Sequence, residues 1–468
     1  MHTILDILNM GSARSVDLTG IEAVALLLVS CWQESLAAQH RAMAESLPLE
    51  GVIGFSGGIR HALVLHPNDT HIIYPIGSTV VVRNVEKPSD QTLLQGHTDS
   101  VTCIALTKDG NTMASGQITH GGNLAEIILW DVSGLLEGKQ PMLLHRLRLH
   151  KVMVQAVAFS CNGKYLASVG GVDDNNLVVW NVADGKAICG SPAAHDTALT
   201  VRWLNTTDAA LVTGGIKALR MWSLDVVHRK VRPTDIETQK EIRTYTCIAV
   251  AEDDSLLYCG TSSGDILTVS TSRKLKVLSG PRKRFDKGVT DIKVIGSELV
   301  VGSANGDLAT VDASTLQRKV EQRVLGGVSS IAPDSSGEFF FVGTEQSNIY
   351  LLQKHELVAE LKTTAHSEHI NDVVFPAGYS ELFATCSGSD IRVWHSGTLS
   401  ELLRLQVRGR DVSTPHAHTQ TPDHPTRAHT HKQTPDHPTR ARKGINSPSP
   451  STPALRPLPS TAKASTPP

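Results

Sequence analysis

The sequence lacks paired cysteines and long apolar runs. Its seven cysteines are odd in number, none lies in a C-x-x-C pair, and most stand inside apolar stretches such as VTCIAL and YTCIAV. This usage is typical of reduced cysteines and predicts neither a disulfide framework nor a zinc site. The longest apolar run, AVALLLVSCW at 23–32, is too short to cross a bilayer and follows Asp17 and Glu22. We therefore expect neither membrane crossing nor secretion.

Catalytic motifs are also lacking. The sequence contains no phosphate-binding G-x-x-x-x-G-K-[ST] loop and no H-E-x-x-H pair. Two G-x-S-x-G matches place Ser56 and Ser262 between glycines. A nucleophile elbow needs a helix directly after the serine, and neither serine is followed by a helical pattern, so both are interpreted as turn residues. We predict a protein that is not an enzyme and that uses no cofactor or metal.

Charge is unevenly distributed along the chain. Residues 408–468 carry nine Lys and Arg against three Asp and Glu, which leaves a net charge of about −8 for residues 1–407. An acidic body argues against a nucleic-acid-binding core. Two basic segments, 228–232 and 280–288, are candidates for contact with an acidic protein surface, and solvated loop charge is the alternative. Their candidate residues are Arg229, Lys230, Arg232, Arg282, Lys283 and Arg284.

A histidine and a tryptophan recur about 30 residues apart. The pairs are His97 with Trp130, His150 with Trp180, His195 with Trp222, and His366 with Trp394. Each pair encloses an alternating apolar stretch, a polar turn, a strand ending in small residues and a strand that carries Trp. Stretches at 245–270, 288–312 and 327–352 keep this plan without His and Trp, and a degenerate copy opens the series at 62–85. Eight such units predict an all-β, WD-repeat β-propeller of about seven blades.

The spacing has a physical reason in a buried polar bridge. The His before one strand would contact a Ser or Thr on the next, and that hydroxyl would accept from the Trp indole. The predicted sets are His97/Ser115/Trp130, His150/Ser168/Trp180, His195/Thr213/Trp222 and His366/Thr385/Trp394. An Asp that completes the network is well placed only in the second set, as Asp174. These residues are interpreted as structural and not catalytic.

The two ends of the chain differ from the repeats. Residues 1–50 predict a leader with a helix over about 19–46. The propeller is assigned to residues 51–407. Residues 408–468 hold twelve of the 22 prolines and a 13-residue tandem repeat rich in His, which predicts a disordered tail. Metal capture by its histidines is weighed against a duplication that was never selected to fold, and the second interpretation is preferred.

Six stretches carry a resemblance to a known family. They are YPIGSTVVV (74–82), ASGQITHGGNLAEIILWD (114–131), AICGSPAA (187–194), GTSSGDIL (260–267), VGTEQSNIY (342–350) and ELFATCSGSDIRVWHSGTLSELLRL (381–405). Over residues 51–407 the chain resembles the cilia- and flagella-associated WD-repeat proteins that have two tandem propellers. The resemblance implies a non-enzymatic scaffold of the ciliary and flagellar axoneme, located in the cytoplasm and cytoskeleton. It also implies partners, namely tubulin in doublet microtubules and other axonemal proteins, and a role in cilium motility. A general cytoplasmic WD-repeat adaptor is the alternative.

The repeat number leaves ring closure open. Eight units are one more than a ring of about seven blades requires. Either the eighth unit, 366–396, is an additional blade with exposed strand edges, or it completes the ring in place of the degenerate first unit.

Overall fold

The structure of the chain, a computed structural model, describes residues 49–238, 242–378 and 381–406. Its strands form eight four-stranded antiparallel sheets, each built from four strands that are consecutive in the sequence. Within these described ranges the only helix is a short 3₁₀-helix, Leu135–Glu137. The predicted all-β fold with eight repeat units is confirmed. The helix predicted at 19–46 and the tail predicted from 408 lie outside the described residues.

The first four sheets contain the degenerate first unit and three of the four units that have a His and a Trp. The degenerate unit forms sheet 1. Sheet 1 consists of β1 (Val64–Leu65), β2 (His71–Ile76), β3 (Thr79–Asn84) and β4 (Gln91–Gln95). Sheet 2 consists of β5 (Val101–Leu106), β6 (Thr112–Gln117), β7 (Leu124–Asp131) and β8 (Met142–Lys151). Sheet 3 consists of β9 (Val154–Phe159), β10 (Tyr165–Gly170), β11 (Asn176–Asn181) and β12 (Lys186–Pro192). Sheet 4 consists of β13 (Ala198–Trp203), β14 (Ala210–Gly215), β15 (Ala218–Asp225) and β16 (Lys230–Asp235).

The remaining sheets follow the same order. Sheet 5 consists of β17 (Tyr245–Val250), β18 (Leu256–Thr261), β19 (Ile266–Ser270) and β20 (Leu275–Gly280). Sheet 6 consists of β21 (Val289–Ile295), β22 (Glu298–Ser303), β23 (Asp307–Asp312) and β24 (Arg318–Arg323). Sheet 7 consists of β25 (Val328–Pro333), β26 (Phe339–Thr344), β27 (Ile349–Gln353) and β28 (Ala359–Thr363). Sheet 8 consists of β29 (Ile370–Val374), β30 (Leu382–Ser387), β31 (Asp390–His395) and β32 (Ser400–Gln406).

Burial within each sheet falls from the second strand to the fourth. In sheet 3, every residue of β10 is buried, whereas β12 has no buried residue. In sheets 1 to 7 the second and third strands are buried on both faces because a neighbouring sheet packs on each side, which explains their near-continuous apolar sequence. The first strand of seven sheets pairs with the second through the same local register shift, such as the one between Val101 and Cys103. Such bulges increase the strand twist that a ring of radial sheets requires.

Sheets 1 to 7 close a ring around a common axis. The first strands of sheets 2 to 7 lie side by side in sequence order, β25 of sheet 7 contacts β1 of sheet 1, and β2 of sheet 1 contacts β5 of sheet 2. Sheets 1 and 7 share an apolar cluster that includes Tyr74 and Phe341. The backbone amides of Ala62 and Leu63 donate to Ser330 Oγ at 2.9 and 3.3 Å. The ring is therefore closed by side-chain packing and by hydrogen bonds between the segment before β1 and β25, and sheets 1 and 7 do not exchange a strand.

The eighth sheet lies outside this ring, so the degenerate first unit is not replaced. Sheet 8 packs against the segment before sheet 1, where Leu399 contacts Gly51. In sheet 2, Ala114, Ile127 and Leu129 are fully buried. The residues at the same register positions of sheet 8, Ala384, Ile391 and Val393, are only partly buried.

Sheet 8 thus exposes an apolar surface. In sheet 2 the equivalent surface is covered by a neighbouring sheet. On β32, Leu403 and Leu405 are 49% and 50% exposed, and Phe375, next to β29, is 64% exposed. Uncovered strands of this kind are sites of protein association or aggregation.

Candidate functional site

The second predicted set forms a continuous hydrogen-bonded chain. Trp180 Nε1 donates to Ser168 Oγ at 2.8 Å, and Ser168 Oγ lies 2.7 Å from His150 Nε2. His150 Nδ1 lies 2.8 Å from Asp174 Oδ2. Because a carboxylate only accepts, Nδ1 carries the hydrogen, and in the neutral imidazole Nε2 then accepts the hydroxyl hydrogen of Ser168. Each of these four side chains has its hydrogen-bonding groups satisfied, and none is left as a free nucleophile or base.

This network joins sheet 2 to the two middle strands of sheet 3. His150 is the next-to-last residue of β8 in sheet 2, Ser168 lies on β10 and Trp180 lies on β11, where Ser168 pairs with Val178 in the ladder. The side chains of His150 and Asp174 are 1% and 4% exposed. Burial alone would raise the pKa of the Asp174 carboxyl, but hydrogen bonds from His150 and from two backbone amides outweigh burial and lower that pKa. The buried network holds β10 and β11 in register and fixes the end of β8 against them.

The first set uses an amide in place of the carboxylate. His97 Nε2 lies 2.6 Å from Ser115 Oγ, which also accepts from Trp130 Nε1 at 2.8 Å. His97 Nδ1 lies 2.8 Å from Gln117 Oε1. Burial lowers the pKa of His97, which keeps its ring neutral. Gln117 was missed in the sequence because only Asp was expected at this position, although a Gln amide oxygen is an equivalent acceptor.

The fourth set corrects the prediction that only the second set has its Asp. His366 Nε2 lies 2.6 Å from Thr385 Oγ1, and Trp394 Nε1 donates to the same oxygen at 2.7 Å. His366 Nδ1 lies 2.5 Å from Asp390 Oδ1. Asp390 opens the Trp strand itself, whereas Asp174 precedes its strand in a turn, and this shift in position hid Asp390 from the spacing argument.

Asp390 also anchors two arginines of sheet 8. Its Oδ2 accepts from Arg392 Nε and Arg404 Nε, both at 2.9 Å. Burial alone would raise the pKa of Asp390, but hydrogen bonds from Ser387 and His366 and the charge of Arg392 lower that pKa. Although sheet 8 lies outside the ring, its internal polar network is therefore as complete as that of sheet 3.

The third predicted set is wrong in one member. Trp222 Nε1 donates to Thr213 Oγ1 at 2.8 Å, but His195 is exposed and has no hydrogen bond among the described residues. Asn175 of sheet 3 holds this loop instead, because its amide donates to Ala194 O at 2.9 Å and its Oδ1 accepts from the amide of Ala198 at 3.0 Å. The loop is fixed without the imidazole, which leaves His195 free to face solvent.

The three units without His and Trp have a buried hydroxyl two residues further along the second strand, at the register position of Gln117. Thr261, Ser303 and Thr344 end the second strands of sheets 5, 6 and 7, and each is fully buried. In sheet 5 the Thr261 hydroxyl donates to Asp265, whose Oδ2 lies 2.9 Å from Arg243 Nη2. In two of the three units the sequence signal is a Thr or Ser followed four residues later by Asp, as in TSSGD and SANGD; in the third, Asn348 takes that position after Thr344.

The two G-x-S-x-G serines lie in turns. Ser56 stands in the loop before sheet 1, and Ser262 lies between β18 and β19. The described ranges contain no group of three or more His, Cys, Asp or Glu side chains that could hold a metal ion. No helix in those ranges is long and apolar enough to cross a membrane.

The two basic segments lie at opposite ends of the sheets. Arg229, Lys230 and Arg232 belong to the hairpin between the third and fourth strands of sheet 4, whereas residues 281–288 connect the fourth strand of sheet 5 to the first strand of sheet 6. Consecutive antiparallel strands reverse direction, so these two kinds of connection face opposite sides of the ring. The six basic residues therefore cannot form one surface.

The connection at 281–288 is held in place by a buried aromatic ring. Phe285 is 2% exposed, and the Arg318 guanidinium carbon lies 3.8 Å from its ring centroid. Arg282, Lys283 and Arg284 precede it and are exposed. Lys283 Nζ lies 3.6 Å from Glu321 and Arg284 lies 4.0 Å from Asp265, whereas Arg282 has no carboxylate within 4 Å among the described residues. This loop presents three adjacent cations from a fixed base.

Comparisons with known proteins agree with this architecture. The family described as the first β-propeller of echinoderm microtubule-associated protein matches residues 90–352. The solved structure of U3-55K superimposes with a TM-score of 0.50 over 61% of this chain and 89% of that chain. At 18% sequence identity this similarity extends to the fold alone.

Two curated proteins that share one name match a larger part of the chain. Cilia- and flagella-associated protein 52 of Chlamydomonas reinhardtii is 43% identical over 370 residues, which cover 78% of this chain and 59% of that protein. The protein of the same name from Sus scrofa is 42% identical over 374 residues, or 79% of this chain and 59% of that protein. The chain thus spans about three fifths of the length of these relatives.

Proposed function

The chain belongs to the family described as the first β-propeller of echinoderm microtubule-associated protein, and on that premise we propose that it is a non-enzymatic WD-repeat scaffold of the ciliary and flagellar axoneme. The carrying observation is its identity of 43% with a cilia- and flagella-associated protein over nearly four fifths of the chain. The family name refers to microtubules, and the relatives' name refers to cilia. Both properties meet in the doublet microtubule, which is the proposed partner through tubulin and other axonemal proteins.

The architecture suits a scaffold because its polar groups serve the fold. His97, His150 and His366 each bond to a buried hydroxyl on the second strand of sheets 2, 3 and 8 respectively, and no described serine is activated by one of them at an open surface. A closed ring of seven sheets offers a large, fixed surface for other proteins. We assign this role to residues 51–407, within the cytoplasmic and cytoskeletal compartment of the cilium.

We further propose that the loop carrying Arg282, Lys283 and Arg284 contacts the acidic microtubule surface. Its backbone is anchored by Phe285, so little conformational freedom is lost when a partner binds. The hairpin carrying Arg229, Lys230 and Arg232 has the same charge on the opposite side of the ring, and Arg232 lies 3.5 Å from Asp225. A rigid ring lying on a microtubule lattice would use only one of these sides.

Microtubule cosedimentation tests this assignment with a matched pair of variants. We expect the full chain to sediment with microtubules, and the triple variant R282Q/K283Q/R284Q to bind about tenfold more weakly at low ionic strength. The triple variant R229Q/K230Q/R232Q removes the same charge from the other side and should bind like the parent. Equal loss in both variants would indicate nonspecific charge attraction and contradict the assigned loop.

Localisation in a ciliated cell tests the proposed function as a whole. A tagged chain, beside a version that ends at residue 407, is expected along the axoneme and in isolated doublets in both cases. Recovery with a cytoplasmic signalling or ligase complex, without tubulin, would instead support the general adaptor. In that event the axonemal function is wrong, while the fold and its bridges are unaffected.

A further inference from the structure

The axis of the ring contains two adjoining cavities. Their volumes are about 370 and 350 Å³, and both are lined by Ile104, Val157 and Arg202. Taken together, their walls include residues from the first strands of all seven ring sheets, from Val64 of sheet 1 to Ile331 of sheet 7. The cavities are therefore two parts of one axial channel.

The charged groups on the channel walls are all cationic or titrate to a cation. Neither cavity is lined by an Asp or a Glu, although residues 1–407 carry a net charge of about −8. The wall groups are Arg60, His61, Lys108, Arg202 and Lys293. An anion that enters this channel therefore meets a positive lining.

Internal partners balance only part of this charge. Asp291, which is 1% exposed behind the wall, lies 3.6 Å from Lys293 Nζ and 3.1 Å from His61 Nδ1. Arg202 has one hydrogen bond among the described residues, at 3.3 Å to the carbonyl of Val201. His61 Nε2 is buried without a hydrogen-bond partner in the described part of the chain. Within 4 Å and among the described residues, Asp291 thus faces one ammonium and one imidazole, and Arg202 faces no carboxylate.

We propose that the axial channel binds a small oxyanion, a phosphate or a carboxylate, between Arg202, Lys293 and His61. The guanidinium of Arg202 offers several donors in a planar fork, the arrangement that matches two oxygens of one oxyanion. His61 supplies a further donor when Nε2 carries its hydrogen, and the ammonium of Lys293 adds charge. Burial lowers the pKa of Lys293 against the opposing charge of Asp291, so a second anion in the channel stabilises its charged form.

Thermal melting of the full chain tests the proposal, with sodium phosphate titrated against sodium chloride at equal ionic strength and constant pH. Phosphate is expected to raise the melting temperature with saturation, by about 3 °C at a hundredfold excess over its dissociation constant. Sodium acetate, compared in the same way, distinguishes the two chemistries: a rise with either salt supports the site and identifies its preferred ligand. If the parent chain melts at the same temperature in phosphate, acetate and chloride, that result by itself overturns the proposal.

Variants then locate the effect within the channel. Arg202→Gln should abolish the phosphate-dependent rise, and Arg202→Lys should retain part of it because the charge remains. Arg232→Gln is the control, since this exposed residue lies on the outer hairpin of sheet 4. The basic tail is unchanged in all three variants, so anion binding there cannot imitate the result. An undiminished rise in folded Arg202→Gln, or in Lys293→Met if the first variant fails to fold, would show that the anion binds elsewhere.

Discussion

Removal of the Trp180 indole should be among the most destabilising single changes in the ring. Its side chain is 3% exposed and belongs to the apolar cluster between sheets 2 and 3, with Leu166 and Val178. Trp180→Ala leaves a cavity at that interface and also removes the hydrogen bond to Ser168. Large aromatic-to-alanine changes in cores destabilise by about 3–5 kcal/mol. Because the entropy of unfolding scales with chain length, we expect the melting temperature of a ring of this size to fall by roughly 4–7 °C.

A second substitution separates packing from hydrogen bonding. Trp180→Phe keeps an aromatic ring but loses the N–H that reaches Ser168 Oγ at 2.8 Å. We expect this change to destabilise the ring by about 1–2 kcal/mol, since a hydrogen bond contributes about 1 kcal/mol and the smaller ring packs less completely. Urea unfolding of the three proteins side by side measures the difference. An unchanged midpoint for Trp180→Ala, or equal losses for Ala and Phe, would refute the bridge as described.

Four further outcomes follow from the same geometry. Because hydrogen bonds hold the pKa of Asp174 below its usual value, its stabilising contribution is fully present above about pH 4 and is lost as the pH falls through the lowered folded-state pKa. In Asp174→Asn the free energy of unfolding should therefore depend less steeply on pH in this range. An unaltered pH profile of stability would argue against the ionised bridge. His195→Ala should change stability by less than about 0.5 kcal/mol, whereas His150→Ala should cost about 2 kcal/mol or more, and similar values for the two would contradict the exposure of His195. Trp394→Ala should accelerate hydrogen exchange in sheet 8 alone, and equal acceleration throughout the ring would show that sheet 8 is part of its cooperative unit. Deletion of 408–468 should leave the melting temperature within about 1 °C, and a larger drop would mean that the tail stabilises the ring.

The bridges could be predicted where one local spacing determines the contact. Ser168 and Trp180 lie on adjacent antiparallel strands, so a fixed number of residues between them places both side chains on one face. The side chains that accept from histidine Nδ1 could not be located in the same way, because Gln117 and Asp390 stand at different distances along the sequence from their histidines. His195 failed for a related reason: its loop is held by Asn175 from another sheet, and no spacing within one unit reveals that competition.

Ring closure and the channel depend on contacts between distant units. The alternating pattern of residues 62–85 predicts strands, but only the packing of Tyr74 and Phe341 in one cluster decides that this unit closes the ring. In the same way, Arg202 stands in the ordinary strand sequence LTVRWL, and its nearness to Lys293 requires seven sheets around one axis. Both features arise from tertiary arrangement, which residue type and periodicity do not encode locally.

The hydrogen bond between Ala62 and Ser330 joins residues 268 positions apart. A ribosome adding about 5–20 residues each second produces this interval in roughly 15–50 s. Throughout that time the earliest sheet has no covering neighbour on one side, and Tyr74 and its companions remain open to chaperones or to other nascent chains. Synthesis rate and chaperone supply, as well as final stability, therefore set the yield of correctly closed rings.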